Sequence, residues 1–172
     1  MGQDDIAAAI GRAREYLTAN PTEARYRDSP ATASLEDGLR VRVSGPDGEP
    51  IVTDMVTGVG GGGSAPGPGW MFRAAYASCV ATLIAMRAAE EGVALSDVRV
   101  TVDSESDDRG ILGIDPGVPA GPLSVRLVVA VAAGEGVVEA AVRRVVDYGV
   151  AHCPVHDLIA RAVPVEVVVE FG

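Results

Sequence analysis

The sequence has few cysteines, few aromatic residues and fewer basic than acidic residues. Cysteine occurs twice in 172 residues, at Cys79 and Cys153, which excludes a small secreted domain held together by several disulfides. Aromatic residues are 4% of the chain and hydrophobic residues 48%, so the core must be mainly aliphatic. The 24 acidic and 14 basic residues give a formal charge of -10. This charge does not favour nucleic acid or an anionic membrane as the main partner, because both attract basic surfaces.

The N-terminus, MGQDDIAAAIG, is acidic and has only a short apolar run, which is not typical of a signal peptide. We therefore expect a cytoplasmic protein. In that compartment a pair of cysteines more often serves catalysis, redox chemistry or metal binding than structure. The chain is also long enough for one domain with its own hydrophobic core.

The longest apolar stretch lies between residues 66 and 92 and predicts one long helix with almost no polar stripe, which is typical of a helix covered on all sides. A membrane span needs about 20 strongly apolar residues. The apolar run within this predicted helix contains Arg73, ends at Arg87 and is dominated by alanine. We therefore expect a core helix. The rest of the chain should cover it and bring Cys153 to Cys79, which lies near its middle.

Periodicity and turn residues predict the other elements. An N-terminal helix over 4–18 and a polar arm over 20–30 come first. Turn residues at 37–38 and 46–48 separate the first three strands of an antiparallel meander. Strands are predicted over 31–34, 39–44, 51–55, 98–103, 123–132 and 163–171, and two further helices over 137–150 and 154–162.

A glycine-rich segment precedes the long helix, and three of its glycines, Gly58, Gly60 and Gly63, match the G-x-G-x-x-G spacing of dinucleotide-binding loops. Such a loop must open directly into a helix within a parallel unit. Here Pro66 and Pro68 intervene, and the preceding strands are predicted to be antiparallel. A flexible loop leading into the helix is therefore the better interpretation.

The second predicted strand carries Arg40 and Arg42 on one face and apolar side chains on the other. Two interpretations of these arginines stay open. They form a solvated sheet face, or one of them is directed at a thiolate.

The two cysteines lie in different surroundings. Cys153 stands at the predicted N-cap of a helix with Pro154 as its first residue, and helix N-termini favour a thiolate. Cys79 has apolar neighbours, which raise the pKa of a thiol, so it needs a nearby cation to become reactive. The candidate cations are Arg40, Arg42 and Arg73, with Arg73 ranked last because it lies near the opposite side of the helix.

Three interpretations of the cysteines remain open from the residues alone. They are two inert buried thiols, a redox pair, or a metal site that also includes the two histidines, His152 and His156. The metal site is the weakest of the three, because C-x-x-H without a second close pair is a poor zinc pattern.

Several motifs together resemble the OsmC/Ohr family, the osmotically inducible and organic hydroperoxide resistance proteins. The resemblance covers roughly residues 31–171. The motifs that carry it are Gly62, Pro66 and Pro68 before the helix segment AAYASC at 74–79, Glu91-Gly92-Val93, the segment RGILG at 109–113, and Cys153-Pro154-Val155-His156. The two cysteine motifs lie 74 residues apart, and together they favour the redox pair.

The resemblance implies an α+β fold in which antiparallel sheets of about six strands clasp the long, buried helix that carries Cys79. Residues 1–30 would form an N-terminal helix and arm, and residues 31–172 a single OsmC-like domain. Two chains would interlock into a homodimer with two active sites at the interface. That arrangement suits a helix without a polar face for solvent.

The activity implied is thiol-dependent reduction of organic hydroperoxides without a bound cofactor or metal. Cys79 matches the attacking cysteine and would become a sulfenic acid, and Cys153 matches the resolving cysteine and would form a disulfide with it. A dithiol or a lipoylated protein would reduce that disulfide. The substrate would be an apolar organic hydroperoxide, and neither nucleic acid nor a membrane is expected as a partner.

The sequence departs from the hydroperoxide-resistance pattern at Gly69, where that branch has a glutamate that orients the activating arginine. Arg40 is the best match for this arginine and Arg42 the second. Cys79 is therefore less activated, or another acid takes the glutamate's place. The alternative function is a non-enzymatic OsmC-like dimer that binds a small apolar ligand.

Overall fold

The computed structural model describes residues 2–46 and 48–171. Its helices are α1 Gln3–Ala19, α2 Pro68–Glu91, α3 Asp108–Ile111, α4 Glu139–Ala151 and α5 Pro154–Ala160, and its strands are β1 Thr32–Asp37, β2 Arg40–Ser44, β3 Ile51–Thr53, β4 Leu95–Glu105 and β5 Ser124–Ala133. This arrangement confirms the predicted α+β class and five of the six predicted strands. The turn predicted at 46–48 includes Asp47, which lies outside the described residues.

The strands form two antiparallel sheets, one before α2 and one after it. The first is the predicted meander in the order β1-β2-β3, in which Val43 of β2 pairs with Ile51 of β3. The second is the β4-β5 hairpin, in which Val100 pairs with Val129. The segment between β4 and β5 includes the single turn α3. This turn begins where the Asp107 side chain accepts a hydrogen bond from the Arg109 backbone N–H.

The strand predicted over Val163–Phe171 is not formed, and this prediction was wrong for the single chain. Residues 162–171 have no regular secondary structure, and the side chains of Val165, Val167 and Phe171 are more than 80% exposed. Alternating valines favour a strand only where a neighbouring strand accepts and donates the backbone hydrogen bonds. Among the described residues neither sheet pairs with this segment.

Helix α2 is the centre of the fold, but the chain buries only one stripe of it. Tyr76, Val80, Ile84 and Ala88 recur every four residues and are at most 4% exposed. They face α4, α5 and strand β4, and α1 packs on the C-terminal part of α2. The expectation that the rest of the chain covers α2 on all sides is therefore met on this stripe alone. The helix is long and apolar enough to span a membrane. The buried core helices of soluble proteins can have the same length and composition, so this property is weak evidence for a membrane span.

A close helix crossing fixes α4 on α2. A Cβ atom added at Gly149 would lie 2.6 Å from Cγ1 and 2.8 Å from the backbone N of Ile84. Glycine therefore lets the two backbones approach more closely than any other residue would. Because Cys153 follows shortly after Gly149, this crossing also determines where the second cysteine meets α2.

The N-terminal helix α1 closes the C-terminal end of α2. The Gln3 side-chain amide donates hydrogen bonds to the carbonyl oxygens of Ala88, at 3.0 Å, and Val93, at 2.8 Å. Arg14 forms an ion pair of 2.6 Å with Glu90. Gly92 caps α2 in the left-handed region with a φ of 64°, where glycine is the favoured residue.

Candidate functional site

The structure brings together the two cysteines that are 74 residues apart in the sequence. Cys79 projects from the middle of α2, and Cys153 is the N-cap residue of α5, directly before Pro154. Both are free thiols, Cys153 fully buried and Cys79 half-buried. Cys79 packs against the buried cluster that contains Cys153, and Cys153 is close enough to raise the pKa of the Cys79 thiol. The two sulfurs therefore share one apolar site.

The electrostatics of this site favour a protonated Cys79 within one chain. Burial raises the pKa of the Cys79 thiol and the hydrogen bond with Cys153 raises it further, whereas a hydrogen bond from the backbone N–H of Val155 lowers it. From the sequence we expected the helix N-terminus to act on the Cys153 thiol. In the structure the N–H of Val155, in the first turn of α5, acts on Cys79 instead. Pro154, the first residue of α5, has no N–H to donate.

The three candidate cations have partners away from the thiols. Arg40 donates to Glu36 at 3.1 Å and to the hydroxyl of Ser64 at 2.7 Å. Arg42 also pairs with Glu36, and Arg73 donates to the hydroxyl of Ser104 on β4 at 3.2 Å. Within the described residues no arginine is among the groups that shift the pKa of Cys79. The cation that Cys79 needs is therefore not supplied by these contacts.

Sequence analysis missed a buried carboxylate, Asp54, which is 3% exposed. It follows β3 and accepts hydrogen bonds from the backbone N–H groups of Met55, Gly62 and Ser64, and from the hydroxyl of Ser64 at 2.8 Å. These bonds, from Ser64 first, hold the pKa of Asp54 below its ordinary value. The glycine-rich segment expected to be a flexible loop is thus tied to β3. An aspartate shortly before a glycine-rich segment, here four residues before Gly58, is the sequence feature that could have indicated this attachment.

Ser64 also connects this carboxylate to the predicted activating arginine. Its hydroxyl accepts a hydrogen bond from Arg40 and donates one to Asp54. Arg40 is therefore oriented by Glu36 on one side and by the Ser64–Asp54 pair on the other. No acid at position 69 is needed for this orientation.

A second contact between α2 and α5 lies beside the thiols and joins Tyr76 to His156. The phenolic oxygen of Tyr76 is 2.6 Å from Nδ1 of His156. The other histidine points elsewhere, since the His152 ring stacks on Tyr148 with 3.7 Å between ring centroids and is exposed. Within residues 2–46 and 48–171 the structure contains no group of three or more His, Cys, Asp or Glu side chains arranged to hold a metal ion.

Two apolar cavities lie near the first sheet. One, of about 320 Å³, lies between the first sheet and the start of α2 and is lined by Ala33, Val41, Val43, Ile51, Thr53, Pro68 and Met71. The other, of about 470 Å³, is lined by Leu39, Met55, Val56, Val59, Asp108, Ile111 and Leu112. Neither of these two cavities is lined by Cys79 or Cys153.

Comparison with protein-family models identifies the family. The model described as OsmC-like protein matches residues 61–168, which is more than half of the chain and includes both cysteines. This chain belongs to the OsmC-like family. No curated protein matches the sequence.

Solved structures share the OsmC-like fold at low sequence identity. An OsmC-like protein from Mycoplasma pneumoniae has a TM-score of 0.67 at 14% identity, covering 80% of this chain and 91% of that one. An organic hydroperoxide resistance protein OsmC from Legionella pneumophila has a TM-score of 0.53 at 24% identity, covering 78% and 90%. The organic hydroperoxide resistance protein OhrB of Bacillus subtilis has a TM-score of 0.51 at 16% identity, covering 79% and 92%.

The buried carboxylate gives a testable pH dependence. Because folding lowers the pKa of Asp54, its contribution to stability is present above the unfolded-state pKa, about 3.9, and is lost as the pH falls through the folded-state pKa. We predict that Asp54→Asn lowers the free energy of unfolding at neutral pH, and that its deficit relative to the parent shrinks below about pH 4. Urea denaturation at several pH values measures both.

Asp28→Asn is the matched control, since Asp28 is exposed in the N-terminal arm. Asp28→Asn should leave the free energy of unfolding unchanged at every pH measured. A deficit of Asp54→Asn that is the same at all pH values would show that the carboxylate charge does not hold the loop.

Proposed function

We propose that this OsmC-like protein is a thiol-dependent peroxidase that reduces organic hydroperoxides and thereby serves in oxidative stress defence. The observation that carries the proposal is that Cys79, on α2, packs against the buried cluster that contains Cys153, at the start of α5, and that both thiols are free. A disulfide requires its two Cα atoms to lie within about 7 Å, and packing in one cluster brings the two thiols together for this bond. Family membership and the organic hydroperoxide resistance proteins among its structural neighbours support the same chemistry.

The reaction begins with the Cys79 thiolate, which attacks one oxygen of the hydroperoxide. The O–O bond breaks, the alkoxide leaves and takes a proton to become an alcohol, and Cys79 becomes a sulfenic acid. Cys153 then attacks the oxidised sulfur, so that a disulfide forms and water leaves. A dithiol or a lipoylated protein returns both cysteines to thiols by exchange. The aliphatic side chains around the thiols suit an apolar hydroperoxide better than a polar one.

Activation of Cys79 is assigned to Arg40. A guanidinium within a few ångströms favours the thiolate and offsets the effect of burial. The contacts with Glu36 and with the Ser64–Asp54 pair take the orienting role of the glutamate that Gly69 replaces. Since Arg40 has no contact with Cys79 within one chain, it acts in the assembled dimer.

The proposed assembly is a homodimer with the active sites at the interface. Within one chain only 17% of the apolar window of α2 is fully buried, and the valines of the segment 165–169 are exposed. Exposed apolar surface of this extent is typical of an interface. A second copy would cover α2, and an edge of its sheet would supply the backbone partners that the segment 163–171 lacks.

Removing each thiol tests the chemistry. We predict that Cys79→Ser reduces consumption of cumene hydroperoxide to the uncatalysed background, because the attacking atom is lost. Cys153→Ser should consume one hydroperoxide per chain and accumulate a sulfenic acid at Cys79 that dimedone traps, because no resolving thiol remains. Peroxide consumption and intact mass measure the two results.

Cys79→Ser that consumes hydroperoxide as fast as the parent would contradict the peroxidase. Thermal stabilisation by cumene hydroperoxide or its alcohol that persists in the double variant Cys79→Ala, Cys153→Ala would then indicate the ligand-binding alternative.

Two arginines on the same strand provide a matched test of activation. We predict that Arg40→Gln slows the oxidation of Cys79 by about a hundredfold, as the loss of a charge-stabilising group does in other enzymes. Arg42→Gln is the control. Both arginines pair with Glu36, but the hydrogen bond to the Ser64 hydroxyl comes from Arg40. Stopped-flow measurement of thiol oxidation compares them, and equal rates for both variants would remove Arg40 from this role.

Two adjacent valines test the dimer. The parent should sediment at about twice the chain mass of 17.6 kDa. On an extended segment Val167 shares a side with Val165 and Phe171, whereas Val168 shares the other side with Glu166. We predict that Val167→Glu shifts the equilibrium towards monomer more strongly than Val168→Glu, because only the first places a charge on the uniformly apolar side. A parent that sediments as a monomer at micromolar concentration would contradict the assembly.

A further inference from the structure

Tyr76 and His156 form a pair that the proposed reaction steps do not use. Tyr76 lies three residues before Cys79 on α2, and His156 lies three residues after Cys153 on α5. Residues at this spacing share one face of a helix. The two helices therefore meet through two neighbouring contacts, one between the thiols and one between the phenol and the imidazole, whose atoms are 2.6 Å apart.

The pair lies inside the molecule rather than at its surface. Tyr76 is 4% exposed and belongs to the same buried cluster as Cys153. Burial raises the pKa of Tyr76, and negative charge at Cys153 raises it further. The phenol therefore keeps its proton at neutral pH, and it lies close enough to Cys153 to sense a thiolate there.

The groups around the pair leave His156 as its proton acceptor. Facing it from α2 is Cys79, and from α5 come Cys153 and Asp157. The Asp157 carboxylate is already held by Arg161 at 2.6 Å, and its pKa is lowered first by that bond and also by the charge of His156. His152 has the same chemistry one residue from Cys153, but it lies against Tyr148 on the surface.

The resolving step needs a proton path at this place. Cys153 loses its thiol proton, its sulfur is oxidised and forms the S–S bond, and the sulfenic sulfur of Cys79 is reduced as its S–O bond breaks. The leaving hydroxide takes up one proton to become water. Because Cys153 is fully buried, solvent does not reach the thiol to carry this proton.

We propose that Tyr76 and His156 carry this proton, an inference that rests on the proposed peroxidase function. Tyr76 takes the thiol proton of Cys153 while passing its own proton to Nδ1 of His156. As the S–O bond breaks, the proton moves back through Tyr76 to the hydroxide that leaves Cys79. Tyr76 shares the buried cluster of Cys153, against which Cys79 packs, and His156 is a positioning residue that acts through Tyr76. The pair ends as it began, so protons and electrons balance over the step.

The test separates the two chemical steps in the full-length protein. The parent, Tyr76→Phe, His156→Asn and the control His152→Asn are mixed with cumene hydroperoxide and quenched with acid or with dimedone. Intact mass then gives the rate at which the sulfenic acid forms and the rate at which the disulfide closes. Tyr76→Phe keeps the ring and removes the hydroxyl, and His156→Asn keeps a hydrogen-bonding group that does not titrate.

We expect Tyr76→Phe and His156→Asn to form the sulfenic acid at the parental rate and to close the disulfide about a hundredfold more slowly, the typical size of a general acid–base contribution. His152→Asn should close it at the parental rate. In the parent, closure should also become slower in D2O than in H2O, because the relay moves protons during this step. This solvent isotope effect should be smaller in Tyr76→Phe and His156→Asn, a result that loss of packing alone would not produce.

Four outcomes would overturn the relay. Parental closure in Tyr76→Phe would show that the phenol is not needed. Equal slowing in His152→Asn would show an effect of the region and not of the pair. A parent that forms no sulfenic acid would remove the peroxidase and the relay together, whereas sulfenic acid that closes equally fast in all variants would remove the relay alone.

Discussion

The close crossing of α4 over α2 is the constraint on which the candidate site depends. Gly149 lies against Ile84 with room for no side chain, and the chain then turns at Cys153 into α5. A larger residue at that crossing would move the turn away from α2 by the width of its side chain. The contact between the two thiols therefore depends on backbone packing some distance from the sulfurs. A close-packed core transmits a change at one contact to its neighbours.

The same packing gives Cys79 an environment that conflicts with its proposed role. Burial and the neighbouring thiol stabilise its neutral form, and the hydrogen bond from Val155 offsets this only in part. A nucleophilic thiol in such a place needs a cation. Arg40 is held by Glu36 and by the Ser64–Asp54 pair, but it has no contact with the thiol within one chain. Part of the apolar surface of α2 also stays exposed in a single chain.

Local patterns predicted the elements well, because each depends mainly on neighbouring residues. Strand β4 could be predicted from the alternation around Val100. The starts of α2 and α5 could be predicted from Pro68 and from the Cys153-Pro154 pair. The strand predicted over 163–171 was wrong for the opposite reason. A strand is stable only when a neighbouring strand pairs with it, and the periodicity of a segment does not show which strand that is. The glycine-rich segment was expected to be flexible because the carboxylate that ties it down lies outside it. Tyr76 was missed because its partner is 80 residues away.

The α+β class, the family and the helical positions of the two cysteines could all be predicted from the amino-acid sequence. They follow from composition, periodicity and short motifs, which are properties of residues near one another in the chain. The folded chain was needed to show that the Val155 N–H acts on Cys79, that His156 and not His152 contacts α2, and that Glu36 and Asp54 hold Arg40. Each of these depends on how separate elements cross, and a crossing angle is set by the packing of surfaces that no single segment contains.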